Sequence, residues 1–192
     1  MSNLLLDYFA QFGSLSAEET AALEDSMLIK AFEKDSFILK EGQNKAYSYF
    51  VMEGLVRAYK LIDGEEVTTN FYTEGQWIIS LNSFVEDKLA NENLICLEDT
   101  NVVIGNEQRA QTLFQSFPRF ETIARAVMEQ VFREQLAILS TYHTNSPEER
   151  YLKLVNTRPE LLQRVPQYQI ASYIGVKAES LSRIRKRIAK QL

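Results

Sequence analysis

The stretch from Gln167 to Ile188 constrains this chain most, because its pattern fits two short helices joined by a tight turn. Gly175 stands where the first helix must end in left-handed backbone, which glycine adopts without steric cost. Ala171 is small, as required where two helices cross closely. The apolar positions recur at helical spacing on both sides of the glycine: Ile170, Ile174, Val176, Leu181, Ile184 and Ile188.

This pattern is typical of a DNA-binding helix-turn-helix, in which the second helix enters the major groove. A helical hairpin with a solvated outer face is the alternative. We expect Arg183 to donate two hydrogen bonds to guanine and Glu179 to accept from cytosine amino groups. These two side chains, four residues apart, could instead pair with each other. Ser182 shares their face, and the predicted phosphate contacts are Lys177, Ser180, Arg185, Lys186, Arg187, Gln167 and Tyr168.

The charge of the chain is unevenly distributed, although its formal net value is −5 over 192 residues. Residues 146–192 contain 10 Lys/Arg and 4 Asp/Glu, a net charge of +6. Residues 1–145 carry a net charge of −11. The basic charge therefore lies on and around the predicted helix-turn-helix, where phosphate contacts require it.

Cysteine and histidine usage argues against several other classes of protein. A single cysteine, Cys96, rules out a disulfide framework and an iron–sulfur cluster, and a buried strand position is expected for it. The only histidine, His143, leaves no ligand set for a metal-dependent enzyme. We therefore expect no enzyme activity and no metal. The sequence shows no signal peptide and no membrane-spanning apolar run, which predicts a cytoplasmic protein with no membrane partner.

Residues 1–117 are predicted to form a small helical start followed by an antiparallel β-roll. Ser16 with Glu19 forms a capping-box pattern at the start of a helix. Short alternating strands then follow, separated by turn glycines, with Asp63–Gly64 as the clearest hairpin turn. The alternation over Leu55–Lys60 predicts a strand with one solvated face.

Residues 118–144 are predicted to form one long helix and the hinge that follows it, and residues 145–192 the helix-turn-helix domain. The long helix has an apolar stripe, which either belongs to a core or pairs with the same helix of a second subunit. The residues of this stripe are Phe120, Ile123, Ala124, Val127, Val131 and Ile138. Ser146 as N-cap and Pro147 at the first helical position mark the beginning of the next domain.

The order of these elements and several motifs resemble the CRP/FNR family of bacterial transcription regulators. The motifs are Phe37–Gly42, Glu53–Tyr59, Asp63–Thr68, Arg150 and Gln169–Ile188. The resemblance implies an α+β fold with a jelly-roll-like domain of the cyclic-nucleotide-binding type, a dimerisation helix and a winged helix-turn-helix. It also implies a homodimer that binds palindromic double-stranded DNA and acts on RNA polymerase.

The chain departs from the family in the effector pocket. Cyclic-AMP-binding members use a glutamate in a Gly-Glu-Leu segment and a later Arg-Ser pair. Here these align with Ile79-Ser80-Leu81 and with Glu92-Asn93. A glutamate at position 92 would repel a phosphate, unless it is only a solvated loop charge. Gln135 aligns with a position that carries a hydroxyl side chain in the family. The predicted pocket also includes Phe71 and Leu94. We expect no cyclic-AMP binding, and a different small effector or none.

A second departure lies at the C-terminus, since the chain stops at Leu192, soon after the recognition helix. This predicts a reduced or absent wing and fewer phosphate contacts. Glu179 followed by Ser182-Arg183, with Ala178 before it, is similar to the FNR branch. The sequence therefore predicts a dimeric CRP/FNR-type regulator that binds DNA. The alternative is a cyclic-nucleotide or other small-molecule sensor without sequence-specific DNA binding.

Overall fold

The computed structural model describes residues 4–43, 48–79 and 89–190. The helices are α1 (Leu4–Ala10), α2 (Ala17–Ser26), α3 (Glu107–Ser116), α4 (Arg119–Thr144), α5 (Pro147–Thr157), α6 (Leu161–Arg164), α7 (Gln167–Tyr173) and α8 (Ala178–Ile188). The strands are β1 (Leu28–Phe32), β2 (Phe37–Leu39), β3 (Ser48–Glu53), β4 (Val56–Ile62), β5 (Glu65–Tyr72), β6 (Trp77–Ile79), β7 (Asn93–Cys96) and β8 (Thr100–Gly105).

The strands form two sheets, with the orders β1-β8-β3-β6 and β2-β7-β4-β5. The pairs β1–β8, β3–β8, β3–β6 and β2–β7 are antiparallel. Apart from β4 and β5, strands that are neighbours in sequence thus lie in different sheets, as in a roll. The predicted α+β class, with a β-roll followed by a long helix and C-terminal helices, is confirmed.

The sheet β1-β8-β3-β6 has an apolar cluster on each face. Because successive side chains of a strand point to opposite faces, Tyr49 and Val51 face the roll interior while Phe50 faces the helices. On the helical side, α4 contributes the buried stripe Phe120, Ile123, Val127 and Val131. Three aromatic rings surround Trp77 there, with Phe50 at 4.9 Å between ring centroids. We call this cluster the outer core, and the cluster inside the roll the inner core.

Two helices begin as the sequence predicts. In α2, the Glu19 N–H donates to Ser16 Oγ at 3.1 Å and the Ser16 N–H donates to the Glu19 carboxylate at 2.7 Å. The same reciprocal pair joins Ser146 and Glu149 at the start of α5. The hydrogen bonds from Ser146 hold the pKa of the Glu149 carboxyl below its usual value. The predicted capping box at Ser16 and the predicted N-cap at Ser146 are confirmed.

Three features of the roll differ from the sequence expectations. β1 and α3 were not predicted, although Asn106 accepts from the Arg109 N–H as a typical N-cap. The prediction that Leu55–Lys60 has one solvated face is wrong. Val56, Arg57, Ala58 and Tyr59 are all buried. An alternating pattern misleads here because a polar side chain that has partners can be buried like an apolar one.

The residue contacts divide the chain into two compact units. The first comprises residues up to 58 together with 71–133, and the second comprises 59–70 together with 134–192. The first contains both apolar clusters described above. The second contains the helix-turn-helix and the turn between β4 and β5. The domain boundaries at 117/118 and 144/145 stay predictions.

Within the described ranges, no helix is both long enough and apolar enough to cross a membrane.

Candidate nucleic-acid interface

The turn between α7 and α8 has the geometry that its glycine predicts. Gly175 has a φ of +74°, which is left-handed backbone. The Val176 N–H donates to the Ala171 carbonyl at 2.9 Å and the Gly175 N–H to the Ser172 carbonyl at 3.0 Å. Together these bonds form a Schellman motif, which satisfies the last carbonyls of the helix. The helix-turn-helix therefore ends its first helix as the sequence predicted.

The apolar residues of this motif form its buried side. Ile170, Ala171, Ile174 and Leu181 are each no more than 2% exposed, and Ile184 is also buried. Val176 and Ile188 are half-buried. Burying one side of α8 leaves its polar side open to solvent, which is the arrangement required of a helix that reads DNA.

Arg150 holds the turn in place from α5. Its Nε donates to the Ile174 carbonyl at 2.9 Å, and its Nη1 donates to the Asn145 carbonyl at 2.7 Å. The guanidinium also lies 5.2 Å from the centroid of the Tyr142 ring, within range of a cation–π interaction. One side chain thus joins the end of α4, the following hinge and the turn. In the sequence, Arg150 is marked only as a residue shared with the family, which indicates no role for its side chain.

Two tyrosines near this arginine have altered acidity. Burial raises the pKa of Tyr142 to about 12, Tyr173 adds to the rise, and Arg150 opposes it. Burial also raises the pKa of Tyr173, and Arg158 opposes that rise by its charge and a hydrogen bond. Both phenols therefore stay neutral at physiological pH, so the positive charge of Arg150 is not cancelled by a phenolate.

Ser172 on α7 bonds to the backbone of β5 within the second unit. Its hydroxyl accepts from the Thr68 N–H at 2.9 Å and donates to the Glu66 carbonyl at 3.2 Å. A serine inside a helix gives no sequence signal for a contact with a strand about 100 residues away. The sequence analysis did not detect this contact.

The exposed side of α8 carries the residues predicted to read bases. Glu179, Ser182, Arg183 and Lys186 are all exposed. Arg183 Nη2 donates to Ser180 Oγ at 3.3 Å. In the described part of the chain, Arg183 makes no ion pair with Glu179, so the alternative in which the two pair with each other is not what the structure shows.

The residues predicted to contact phosphate fall into two groups. Arg185 and Gln167 are joined by a hydrogen bond of 2.6 Å, and Arg187 forms a 2.8 Å ion pair with Glu148. By contrast, Lys177 and Lys186 are exposed and have no acidic partner among the residues described. Tyr168 is 61% exposed, and its hydroxyl accepts from Gln169 Nε2. Of the cations predicted to contact phosphate, Lys177 and Lys186 are thus the two without an acidic or hydrogen-bonded side-chain partner among the described residues.

The predicted effector-pocket residues do not converge on one site. Ile79 packs on the outer core, whereas Leu94 lies in the inner core. Asn93 is buried, and its Oδ1 accepts from the Glu41 N–H at 3.1 Å. Gln135 is half-buried on α4, and Phe71 is fully buried in β5. Ser80 and Leu81 lie outside the described residues.

Glu92 is half-buried beside a small cavity in the roll. This cavity has a volume of about 20 Å³ and is lined by Tyr49, Ile78, Leu94 and neighbouring residues. A cavity of that size holds about one water molecule. Glu92 is one of the residues that line this cavity, and its role in an effector pocket stays a prediction.

Cys96 lies in β7 and is fully buried, as expected. Burial raises the pKa of its thiol, against hydrogen bonds with Thr100 and Ser36. Such a thiol behaves as a small apolar side chain. In the described ranges, no group of three or more His, Cys, Asp or Glu residues is placed to hold a metal ion.

Comparisons with protein families and solved structures show which known proteins this chain resembles. Residues 29–117 match the model of the cyclic nucleotide-binding domain. The c-di-GMP-responsive global regulator CLP of Xanthomonas campestris is 18% identical, with 92% of this chain and 93% of that chain covered and a TM-score of 0.71. A mutant of CooA from Carboxydothermus hydrogenoformans is 16% identical, with 99% and 85% covered and a TM-score of 0.68.

A CRP/FNR-family transcriptional regulator from Eubacterium rectale is 13% identical, with 96% and 88% covered and a TM-score of 0.68. No curated protein sequence matches the chain. Residues 29–117 thus form a domain of the cyclic nucleotide-binding type. The chain as a whole has the fold of the CRP/FNR transcription regulators, and the resemblance inferred from its motifs is confirmed.

Replacing Arg150 should loosen the helix-turn-helix. Arg150→Ala removes two hydrogen bonds from a charged donor and should lower the free energy of unfolding by about 2 kcal/mol. Arg150→Lys should recover less than half of this loss, because an ammonium group does not span both carbonyls. Lys186→Ala, which removes an exposed cation of the same unit, should change the free energy of unfolding by less than about 0.5 kcal/mol. Urea denaturation measures all three, and equal effects of Arg150→Ala and Lys186→Ala would contradict the role assigned to Arg150.

Proposed function

We propose that this protein is a homodimeric transcription regulator of the CRP/FNR type that binds palindromic DNA in the cytoplasm. The observation that carries the proposal is the exposed polar side of α8, on a C-terminal segment whose net charge is +6. Lys177, Arg183 and Lys186 have no acidic partner in the described residues. Unpaired cations beside a helix with one buried side are what phosphate and major-groove contacts require.

In the proposed complex, α8 lies in the major groove with its N-terminal half at the base edges. Arg183 donates to guanine and Glu179 accepts from cytosine, since both side chains are exposed and they do not pair with each other. Lys177 and Lys186 contact phosphates on either side. The Arg185–Gln167 bond and the Arg187–Glu148 ion pair stabilise the scaffold, and either arginine reaches phosphate only by changing partner.

The homodimer is proposed to form along α4. Phe132, Leu136 and Leu139 are each about half exposed and recur at spacings of four and three residues, which places them on one stripe of the helix. A second stripe of the same helix is already buried in the outer core. Large exposed apolar side chains at heptad spacing favour pairing with a second copy, as in a coiled coil. We call this exposed stripe the α4 seam.

Cyclic AMP is not the proposed effector. A cyclic phosphate needs a cation, and the residue aligned with the family arginine is Glu92. Its partner position, Asn93, uses its side-chain oxygen to bind the Glu41 backbone. The small cavity next to Glu92 supports the same proposal. As in the family, RNA polymerase is the proposed protein partner on DNA.

Two substitutions should separate base reading from phosphate contact. Arg183→Ala should weaken binding to the preferred site by about 1–3 kcal/mol and leave binding to random DNA within a few-fold. Lys186→Ala should weaken both by a similar factor and reduce the salt dependence of binding by about one counterion. Fluorescence anisotropy at several salt concentrations measures both. If Arg183→Ala keeps full preference for the site, Arg183 does not read a base.

A charge placed in the α4 seam should separate the subunits. Leu139→Glu should shift the protein from dimer to monomer, because the seam would then bury two like charges without partners. Ala137→Glu adds the same charge to an exposed position on another side of α4 and should leave the dimer intact. Sedimentation equilibrium measures the molecular mass of each variant and so distinguishes monomer from dimer. A wild-type protein that is monomeric at micromolar concentration would contradict the proposed dimer.

A further inference from the structure

The outer core contains a cavity that neither the helix-turn-helix nor the roll interior uses. It has a volume of about 160 Å³ and lies between the sheet β1-β8-β3-β6 and the helices α1 to α4. Its walls are mostly apolar and include Phe9, Leu23, Leu113 and Phe120. Because it lies on the helical side of the sheet, it is separate from the roll interior, where the family binds its nucleotides.

The volume of the cavity sets the size of its ligand. An apolar cavity of about 150 Å³ in a protein interior stays dry and binds benzene. The cavity described here is of the same size and has aromatic walls, so one six-membered ring fits it. Larger fused rings would require the walls to move.

Two polar groups at this cavity have no partner among the described residues. The indole N–H of Trp77 is buried and makes no hydrogen bond. A buried donor without an acceptor is unfavourable, so a ligand that supplies an oxygen gains by accepting from it. Arg109 also lines the cavity, is exposed, and has no acidic partner in the described chain. Together they favour a ligand that combines an apolar ring with an anionic oxygen.

We propose that this cavity binds a single-ring aromatic carboxylate of the size of benzoate. The ring occupies the apolar space, and the carboxylate, held near the Arg109 side of the cavity, pairs with that guanidinium and offers an acceptor to the Trp77 N–H. The ring also contacts α4 through Ala124 and Met128. Met128 lies one helical turn before Phe132 of the α4 seam, so the ligand fixes the helix next to the dimer contact. This last consequence, unlike the binding itself, rests on the proposed function.

The 192-residue chain contains a direct probe, because Trp77 is its only tryptophan. Benzoate should change the Trp77 fluorescence in a saturable way, raise the melting temperature, and shift the single indole N–H peak downfield in an ¹⁵N-correlated spectrum. Toluene should fill the cavity and raise the melting temperature without the downfield shift. None of these readouts involves DNA, so their failure leaves the proposed function untouched.

Three variants locate the site. Arg109→Gln should weaken benzoate binding about threefold, the modest contribution of an exposed ion pair, and leave toluene binding unchanged. Arg125→Gln, which removes an exposed arginine of α4 outside the cavity lining, should change neither. Ala110→Leu fills the cavity and should abolish both. If that variant does not fold, the contrast between Arg109→Gln and Arg125→Gln still tests whether benzoate binds in this cavity.

Three results would overturn the proposal. The first is no change with benzoate at millimolar concentration. The second is toluene binding without benzoate binding, which would make the cavity purely apolar. The third is benzoate binding that none of the three substitutions alters, which would place the ligand elsewhere on the protein.

Discussion

The turn of the helix-turn-helix depends on one arginine. Arg150 donates to the carbonyl of Ile174, the C-cap residue that directly follows α7, and to the carbonyl of Asn145 between α4 and α5. A helix-turn-helix positions its second helix only as well as its turn is fixed. Because Arg150 also lies against the ring of Tyr142, the same side chain connects the end of α4 to that turn. A movement of this end of α4 would therefore displace the turn, which gives a physical route from the proposed dimerisation helix to the proposed recognition helix.

The uneven distribution of charge makes the proposed DNA binding compatible with an acidic protein. The net −11 of residues 1–145 and the +6 of residues 146–192 lie in different stretches of the chain. At physiological salt, exposed charges interact over only about 8 Å, so distant acidic groups are largely screened from a phosphate at α8. The immediate partners of the cations on α8 therefore have a larger effect on phosphate binding than the net charge of the chain. Arg187 pairs with Glu148 and Arg185 is hydrogen-bonded to Gln167, whereas Lys177, Arg183 and Lys186 have no acidic partner among the described residues.

The sequence predicts most of the fold but only part of the site. Capping boxes, turn glycines and apolar spacing are local features, and the structure confirms Ser16, Ser146 and Gly175 in their predicted roles. Burial of both faces of β4 was missed because it depends on which sheets and helices cover the strand. The contact of Ser172 with β5 was missed because it joins residues far apart in sequence. The effector pocket was predicted from an aligned segment, yet neighbouring residues of a strand face opposite ways, so Ile78 and Ile79 lie in different clusters.

The central claim is that this protein binds a specific DNA sequence as a dimer, and selection of bound sequences from a random library by the purified full-length chain tests it most directly. The account predicts enrichment of an inverted repeat with a G·C pair in each half-site and half-site centres about ten base pairs apart, or a multiple of that distance. Enrichment of no sequence, in conditions where the protein is folded and dimeric, would contradict the account and favour a sensor without sequence-specific DNA binding.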